Sequence, residues 1–309
     1  MKKISICFLL ILLFITGCKK AESDVTPVHT GTAKPSVLPG KSLKLVYIAG
    51  GGKHYMLERW QALGEYLSNR TGINIDVDER KSYKNIIEAF EKKQAHIGSV
   101  SGLIYVKLKE ELNVIPIVKT VEKGKDTYKS FIVVRKDSGL KNFNDLRGKK
   151  FSFVDKQSTS GYLFPRVMMA DLGVTKLDDY FSKVVFLDDH LSSLISIYNG
   201  YVDGGVVSSF IFDSQEAKKY QKDLTVIMET GDIPISCFIV RSDLNQEDVK
   251  KLKDAFLDIG KSDETIELRK ILRVDGYVEA KDSDYSSIRD AMKKLSTLKD
   301  EDNIQIPKK

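Results

Sequence analysis

Ser130-Phe-Ile-Val-Val-Arg135-Lys-Asp137 and Ser236-Cys-Phe-Ile-Val-Arg241-Ser-Asp243 are one kind of segment written twice, about a hundred residues apart. Each opens on Ser, runs through β-branched and aromatic residues, and closes on Arg-x-Asp, a composition that favours a buried strand. A second echo reinforces the first. In the stretch through Ile87, Phe90 and Ile97 up to Ser101 and the stretch through Leu194, Ile197 and Val202 up to Ser208, the residues Ile87, Phe90 and Ser101 match Leu194, Ile197 and Ser208 at an offset of 107 residues. Both read as a helix, a turn and a short strand finishing in Ser.

The economical architecture is two similar α/β lobes, the chain crossing out near 131–136 and back near 236–241. The first lobe then comprises 43–131 and 240–309, and the second, inserted lobe comprises 132–239. A double crossing makes a hinge, and a hinge between lobes makes a cleft that can close on a small ligand. Two independent tandem domains are the alternative, but no Pro/Gly/Ser-rich linker interrupts the body.

Outward from these echoes, short apolar runs alternate with amphipathic stretches. The pattern predicts strands at 43–48, 73–77 and 97–100 and helices at 57–69 and 83–93, an α/β alternation. Beyond Arg241 the periodicity is helical over 245–259, 263–273 and 283–299, and the excess of charge there reads as a solvated face. The last ten residues read as frayed.

Of 309 residues, 42% are apolar and 30% charged, with a formal net charge of +6. These values exclude collagen-like, coiled-coil and wholly disordered chains. Lys2 and Lys3 precede an apolar run, Ile4 to Ile15, which is too short for a permanent membrane helix of about 20 residues and reads as a secretory signal over 1–17. Without it the chain carries 47 basic and 43 acidic residues, a surplus too small to predict nucleic-acid binding. The run ends in Ile15-Thr16-Gly17-Cys18. This resembles the lipobox of bacterial lipoproteins, in which the Cys is acylated and holds the protein to a membrane surface; an ordinary secretory signal with a nearby Cys is the other reading. Residues 18–42, with Pro27, Pro35 and Pro39 and almost no large apolar side chains, read as a flexible tether. Cys237 would stand alone after export, a buried and inert thiol among Ile235, Phe238, Ile239 and Val240.

The sharpest local signal is Phe151-Ser-Phe-Val-Asp155-Lys-Gln-Ser158-Thr159-Ser160-Gly161-Tyr162. A strand leads through a hydroxyl-rich turn into a helix ending near Leu172-Gly173. Free N–H groups, three hydroxyls and the positive helix end make an anion site; simple capping by Ser158 or Ser160 explains part of the same pattern. Pro165 would break a helix begun at Ser160, so the first turn is expected to be irregular.

Ser158-Thr-Ser-Gly-Tyr-Leu-Phe-Pro-Arg166, preceded by Leu146-Arg-Gly-Lys and Phe153-Val-Asp155, resembles the signature of the phosphate/phosphite/phosphonate substrate-binding proteins of bacterial ABC transporters. Supporting matches include Trp60-Gln61-Ala-Leu63, Tyr128 before Val133-Val-Arg135, Asn199-Gly200 with Val202-Asp203, and Asp275-Gly276-Tyr277, so the resemblance spans roughly 43–295. It implies the type II periplasmic-binding-protein fold, no catalysis and no cofactor. It also implies a small phosphorus oxyanion as ligand, an ABC permease as membrane partner, and action as a monomer. By carry-over, Ser158, Thr159 and Ser160 hold the oxyanion, and Tyr83, Tyr128 and His190 add donors. A lone His is more often structural, but an imidazole can donate to phosphate oxygen.

In relatives that take aminoalkyl phosphonates, acidic residues late in the inserted lobe neutralise the ammonium group. Here those stretches read Val206-Val-Ser208-Ser209-Phe210 and Ile233-Pro234-Ile235-Ser236, without a carboxylate. An unpaired ammonium in a closed cleft is costly, so a compact ligand such as phosphate, phosphite or methylphosphonate is expected, with Asp203 and Asp232 near enough to serve an amine. Ala49-Gly50-Gly51-Gly52-Lys53-His54 lacks the Gly five residues before Gly52 and the Ser/Thr after Lys53 that a nucleotide phosphate loop needs. It reads as a flexible loop at the cleft edge.

A Ser/His hydrolase would use Ser158 or Ser160 with His190 and Asp188 or Asp189, but no Gly-x-Ser-x-Gly elbow is present. His29, His54, His96 and His190 are scattered, without zinc-ligand spacing. A tethered sensor that presents its ligand to a receptor kinase remains compatible with the same sequence.

Overall fold

The computed structural model describes residues 41–48 and 53–298. The signal segment, Cys18, the tether up to residue 40, the loop 49–52 and the last residues from 299 lie outside the described residues. Ser42, placed in the tether by its composition, opens the first strand.

The chain begins with β1 (Ser42–Ile48), α1 (Lys53–Thr71), β2 (Asn74–Arg80), α2 (Tyr83–Glu91), β3 (Ile97–Val100), α3 (Gly102–Leu112) and β4 (Ile115–Val121). Then β5 (Thr127–Tyr128) leads into β6 (Ser130–Arg135) and β7 (Lys150–Phe153). A π-helical turn (Thr159–Leu163) runs into α4 (Phe164–Asp171), followed by β8 (Lys183–Phe186), α5 (His190–Tyr198) and β9 (Gly204–Ser208). Next come α6 (Ser209–Phe212), α7 (Lys218–Gln221) and β10 (Leu224–Glu229). The chain returns through β11 (Ile233–Pro234) to β12 (Cys237–Val240), α8 (Gln246–Asp258), α9 (Ile266–Leu272), β13 (Gly276–Glu279) and α10 (Ser286–Ser296).

Two sheets share one strand order: β2-β1-β3-β12-β4, with β13 added at the β4 edge, and β8-β7-β9-β6-β10. In the first, β1 is parallel to β2 and β3, and β12 is antiparallel to β3 and β4. In the second, β7 is parallel to β8 and β9, and β6 is antiparallel to β9 and β10. The two echoed segments are therefore equivalent strands, each the antiparallel member that the chain adds to a sheet on arriving from the other. This is the type II periplasmic-binding-protein architecture, two α/β lobes joined by two crossing strands.

The crossings lie earlier than the echoes suggest. β5 and β11 form their own antiparallel ladder, Tyr128 opposite Ile233 and Thr127 opposite Pro234, whereas 130–135 and 237–240 are full members of the two sheets. A two-residue ladder carrying a Pro has no periodicity to read, while a buried strand does. α10 packs against both α3 and α4, so the C-terminal helix touches both lobes.

The duplication extends to its hydrogen bonds. His96 N–H donates to the Lys44 carbonyl and Lys44 N–H to His96 Nδ1 (2.9 and 3.0 Å). In the second lobe Asp203 and Lys150 do the same (2.9 and 2.8 Å). Arg241 and Arg135 each pair with the Asp two residues on. These ties fix the register in which β1 meets β3 and β7 meets β9.

The first core stacks Phe238, Phe256 and Tyr277 under Trp60. Around β7, Phe151, Phe153, Tyr180 and Phe181 interlock. Fully burying rings of this size is worth about 2–3 kcal/mol each. Cys237 is free and buried in β12, its thiol pushed up to about 12 by burial, in keeping with an inert side chain. Among the described residues no helix is long and apolar enough to cross a membrane.

Candidate functional site

The hydroxyl turn follows β7, whose Phe151 and Phe153 are completely buried. Ser158 has extended backbone and caps the turn, its Oγ accepting the Gly161 N–H at 2.9 Å. Leu163 N–H donates to the Ser158 carbonyl five residues back (3.1 Å), and Val154 N–H donates to the Gly161 carbonyl (3.1 Å). The first turn is thus π-wound, and α4 starts only at Phe164 with Pro165 in its first turn. The missing Pro N–H costs nothing there, which resolves the irregularity expected from the sequence. Arg166, buried, spends its guanidinium on the Val174 and Thr175 carbonyls. That member of the motif shapes the end of α4.

Capping accounts for Ser158 alone. Thr159 Oγ1 accepts the Leu103 N–H of α3, in the other lobe, at 2.9 Å, and Ser160 Oγ lies 3.2 Å from His190 Nε2. All three hydroxyl residues are 3% exposed or less. Below them, Ser130 Oγ donates to the Ser160 carbonyl (2.7 Å) and Ser130 N–H to Thr230 Oγ1 (3.0 Å), which holds the turn against β6.

Tyr83 and His190 each occupy the first position of a helix, behind the caps Ser82 and Asp189. They are 107 residues apart, the offset of the second echo. The duplication thus delivers one donor from each lobe. The Tyr83 phenol interacts with Ser158, and that of Tyr128, on the crossing strand β5, with Ser160. Burial raises the pKa of both phenols, so they are neutral donors. Tyr128 stacks on Phe210 with centroids 4.8 Å apart. All six residues singled out in the sequence, from both lobes and the hinge, meet at one place.

Sequence reasoning missed the α3 contribution. Ser101, Gly102 and Leu103 bring a helix N-terminus to the Thr159 side of the turn, and the buried Ser101 Oγ has no hydrogen-bond partner. The second echo ends on Ser101 and could have signalled it. Lys107, 6% exposed, reaches across to Gln157 Oε1 (2.5 Å), and burial lowers its pKa.

His190 Nδ1 accepts the Ser208 N–H at 3.0 Å. Nδ1 therefore carries no proton, and in the neutral ring Nε2 must. Burial pushes the pKa down to about 4 against the pull of Asp189, so the ring is neutral at ordinary pH. A general base for Ser160 needs a lone pair on Nε2, and here Nε2–H is a donor. Asp189 does not orient the ring either, since its carboxylate caps Ser192 through the N–H (2.8 Å) and the hydroxyl (2.5 Å). The arrangement donates hydrogen bonds and activates no nucleophile. Among the described residues no group of three or more His, Cys, Asp or Glu is placed to hold a metal ion.

Comparison with known proteins gives a consistent picture. A family model described as ABC transporter, phosphonate, periplasmic substrate-binding protein matches residues 50–285. The phosphonates-binding periplasmic protein of Escherichia coli is 24% identical over 231 residues, covering 72% of this chain and 68% of that protein. A phosphate-import protein of Mycolicibacterium smegmatis is 26% identical over 211 residues, covering 64% of this chain and 65% of its own length. In fold, the chain is similar to a binding-protein component of an ABC phosphonate transporter from Pseudomonas aeruginosa, with TM-score 0.77 and 19% identity. That match covers 86% of this chain and 90% of the other.

Proposed function

The chain belongs to the periplasmic phosphonate-type substrate-binding proteins of ABC transporters, a transport component and not an enzyme, and from that premise we propose that it captures a small phosphorus oxyanion between its lobes. Phosphate, phosphite and alkylphosphonates are the ligands in question. The supporting observation is the convergence of the Ser158–Ser160 turn, Tyr83, Tyr128 and His190 Nε2–H with the α3 N-terminus. Every one of these groups can donate to an oxygen anion. In a cleft from which water is excluded each such charge-assisted bond is strengthened, and the helix N-termini add favourable potential.

The β5–β11 ladder serves as the hinge. Closure brings α3 and Tyr83 of the first lobe onto the Ser158–Ser160 turn of the second, and the closed form delivers its ligand to a membrane permease. A signal peptide over 1–17 and acylation of Cys18 would export the protein and keep it at the membrane, on a tether of some two dozen residues. Calorimetric titration with phosphate, phosphite and methylphosphonate tests this reading. Tight binding of at least one, abolished in the Ser158→Ala/Thr159→Ala double variant, is expected; failure of all three to bind refutes it.

A further inference from the structure

An α-helix leaves its first N–H groups without partners of its own, and the side chain of the N-cap residue normally accepts one of them. Ser101 has the extended backbone of a cap to α3 (φ −67°, ψ 158°), and its carbonyl accepts the Tyr105 N–H at 2.9 Å, yet its side chain caps nothing. The Leu103 N–H, which a cap at Ser101 would take, goes to Thr159 Oγ1 of the other lobe at 2.9 Å. The cap of α3 is thus supplied from across the hinge. At the equivalent place in the second lobe, 107 residues on, Ser208 Oγ accepts the Ile211 N–H of its own helix at 3.4 Å.

The displaced hydroxyl has found no other use. Ser101 Oγ is shut away from solvent and has no hydrogen-bond partner, and a buried hydroxyl left unmet costs free energy. The backbone is not free to relieve it. α3 is buried from Gly102 to Leu108, and a Cβ at Gly102 would run into Ile288 Cδ1 of α10 and lie 3.2 Å from Tyr285 Cδ1. With the first turn seated on α10, what remains is rotation about the Cα–Cβ bond of Ser101 between staggered positions. Residues two apart in a helical turn are separated by about 5–6 Å, and Leu103 touches Thr159 directly. Ser101 therefore lies within one small ligand's reach of the hydroxyl turn.

We propose that α3 exchanges its N-cap when the lobes close, the Leu103 N–H passing from Ser101 Oγ in the open form to Thr159 Oγ1 in the closed form, and that the hydroxyl released in this way is the first lobe's own contact with the bound oxyanion. The inference rests on the oxyanion reading above and names the residue through which binding depends on closure. Leu103 N–H keeps an acceptor in both forms, so closing orphans no donor. The freed Ser101 hydroxyl donates at the positive end of α3, where negative charge is favoured. Closed without ligand, that hydroxyl is stranded, and its cost returns the empty protein to the open form. One rotation of a serine side chain thus couples the state of the hinge to the presence of the anion.

Calorimetry and stopped-flow kinetics on the full protein test this, with methylphosphonate as the probe. Ser101→Ala removes the contact and should weaken binding about tenfold or more, the share of one hydrogen bond to a charged group. The loss should lie chiefly in faster dissociation, because the contact forms only on closure. Ser101→Gly, which suits an N-cap backbone, should behave in the same way and guards against a folding defect in the first variant. Were Ser101 only a cap of the open form, both variants would destabilise that form and bind equally or more tightly, and that result overturns the proposal. Thr159→Val removes the acceptor from the second lobe, so that the Leu103 N–H stays with Ser101 in both forms. On that background Ser101→Ala should cost less than about threefold, a departure from additivity that reports the exchange. Equal losses in both backgrounds overturn the exchange while leaving the oxyanion site standing. A parent protein that binds neither methylphosphonate, phosphate nor phosphite overturns the oxyanion reading itself.

Discussion

Ser208 N–H donates to Nδ1 of His190 at 3.0 Å, and that one bond settles which way the imidazole faces chemically, since the proton is left on Nε2, 3.2 Å from Ser160. Ser208 ends β9 and His190 begins α5, so the strand that closes the second lobe fixes the tautomer of its donor. The pair works as an oriented N–H for an anion, in contrast to the Ser/His pair of a hydrolase, where the same nitrogen must accept.

Acid should expose this arrangement. Burial holds the pKa of His190 at about 4, below its usual 6.5, so between those values the unfolded chain binds the extra proton. The stability contribution is complete above about pH 6.5 and is lost as pH falls toward 4, by roughly 3 kcal/mol at most. Denaturation midpoints measured from pH 7.5 to 4 should show this fall, and His190→Gln should flatten it. A proton NMR titration placing the His190 pKa above 6 would contradict the assignment.

Replacing Ser158 and Thr159 together by Ala removes two hydroxyls at the turn while keeping its backbone. Phosphonate and phosphate affinity should fall at least a hundredfold, roughly two charge-assisted bonds. The melting temperature should drop by several degrees, since both the Ser158 cap, worth about 1 kcal/mol, and the acceptor of the Leu103 N–H are lost.

Gly161 is required by contact. A Cβ there would sit 2.4 Å from Val154 Cβ and 2.7 Å from Ser158 Oγ. Gly161→Ala should therefore cost about 1–3 kcal/mol of stability and displace the capping hydroxyl. Ligand affinity should fall further than the stability loss explains, which titration of the folded fraction measures directly.

Lys107 brings a buried positive charge to the back of the turn through Gln157. Lys107→Met relieves the desolvation of the ammonium and should leave thermal stability unchanged or higher. It should weaken oxyanion binding by roughly 1 kcal/mol, seen as a loss confined to the ligand-bound, closed state. Equal affinity in variant and parent would assign the side chain to packing alone.

The α/β class, the duplicated strands and the hydroxyl turn were legible along the chain because each rests on local order: alternation, periodicity, and three hydroxyls before Gly161. Strand and helix positions through 97–100 and 245–259 agree closely, since buried faces impose the periods that composition displays. The crossings were misjudged by a few residues because a two-residue ladder at Thr127–Tyr128 and Ile233–Pro234 leaves no pattern.

What the sequence determined by itself was the two-lobe plan, the hydroxyl turn at Ser158–Ser160 and, through a constant offset, the equivalence of the two halves. Local propensity and burial period act within a few residues of each position. The tertiary structure alone decided that Leu103 N–H of one lobe meets Thr159 of the other and that His190 is a donor through Nε2. Those facts join residues tens of positions apart across a hinge. Which atoms meet there is set by the register of two sheets and the packing of α3 and α10, and no period along the chain encodes it.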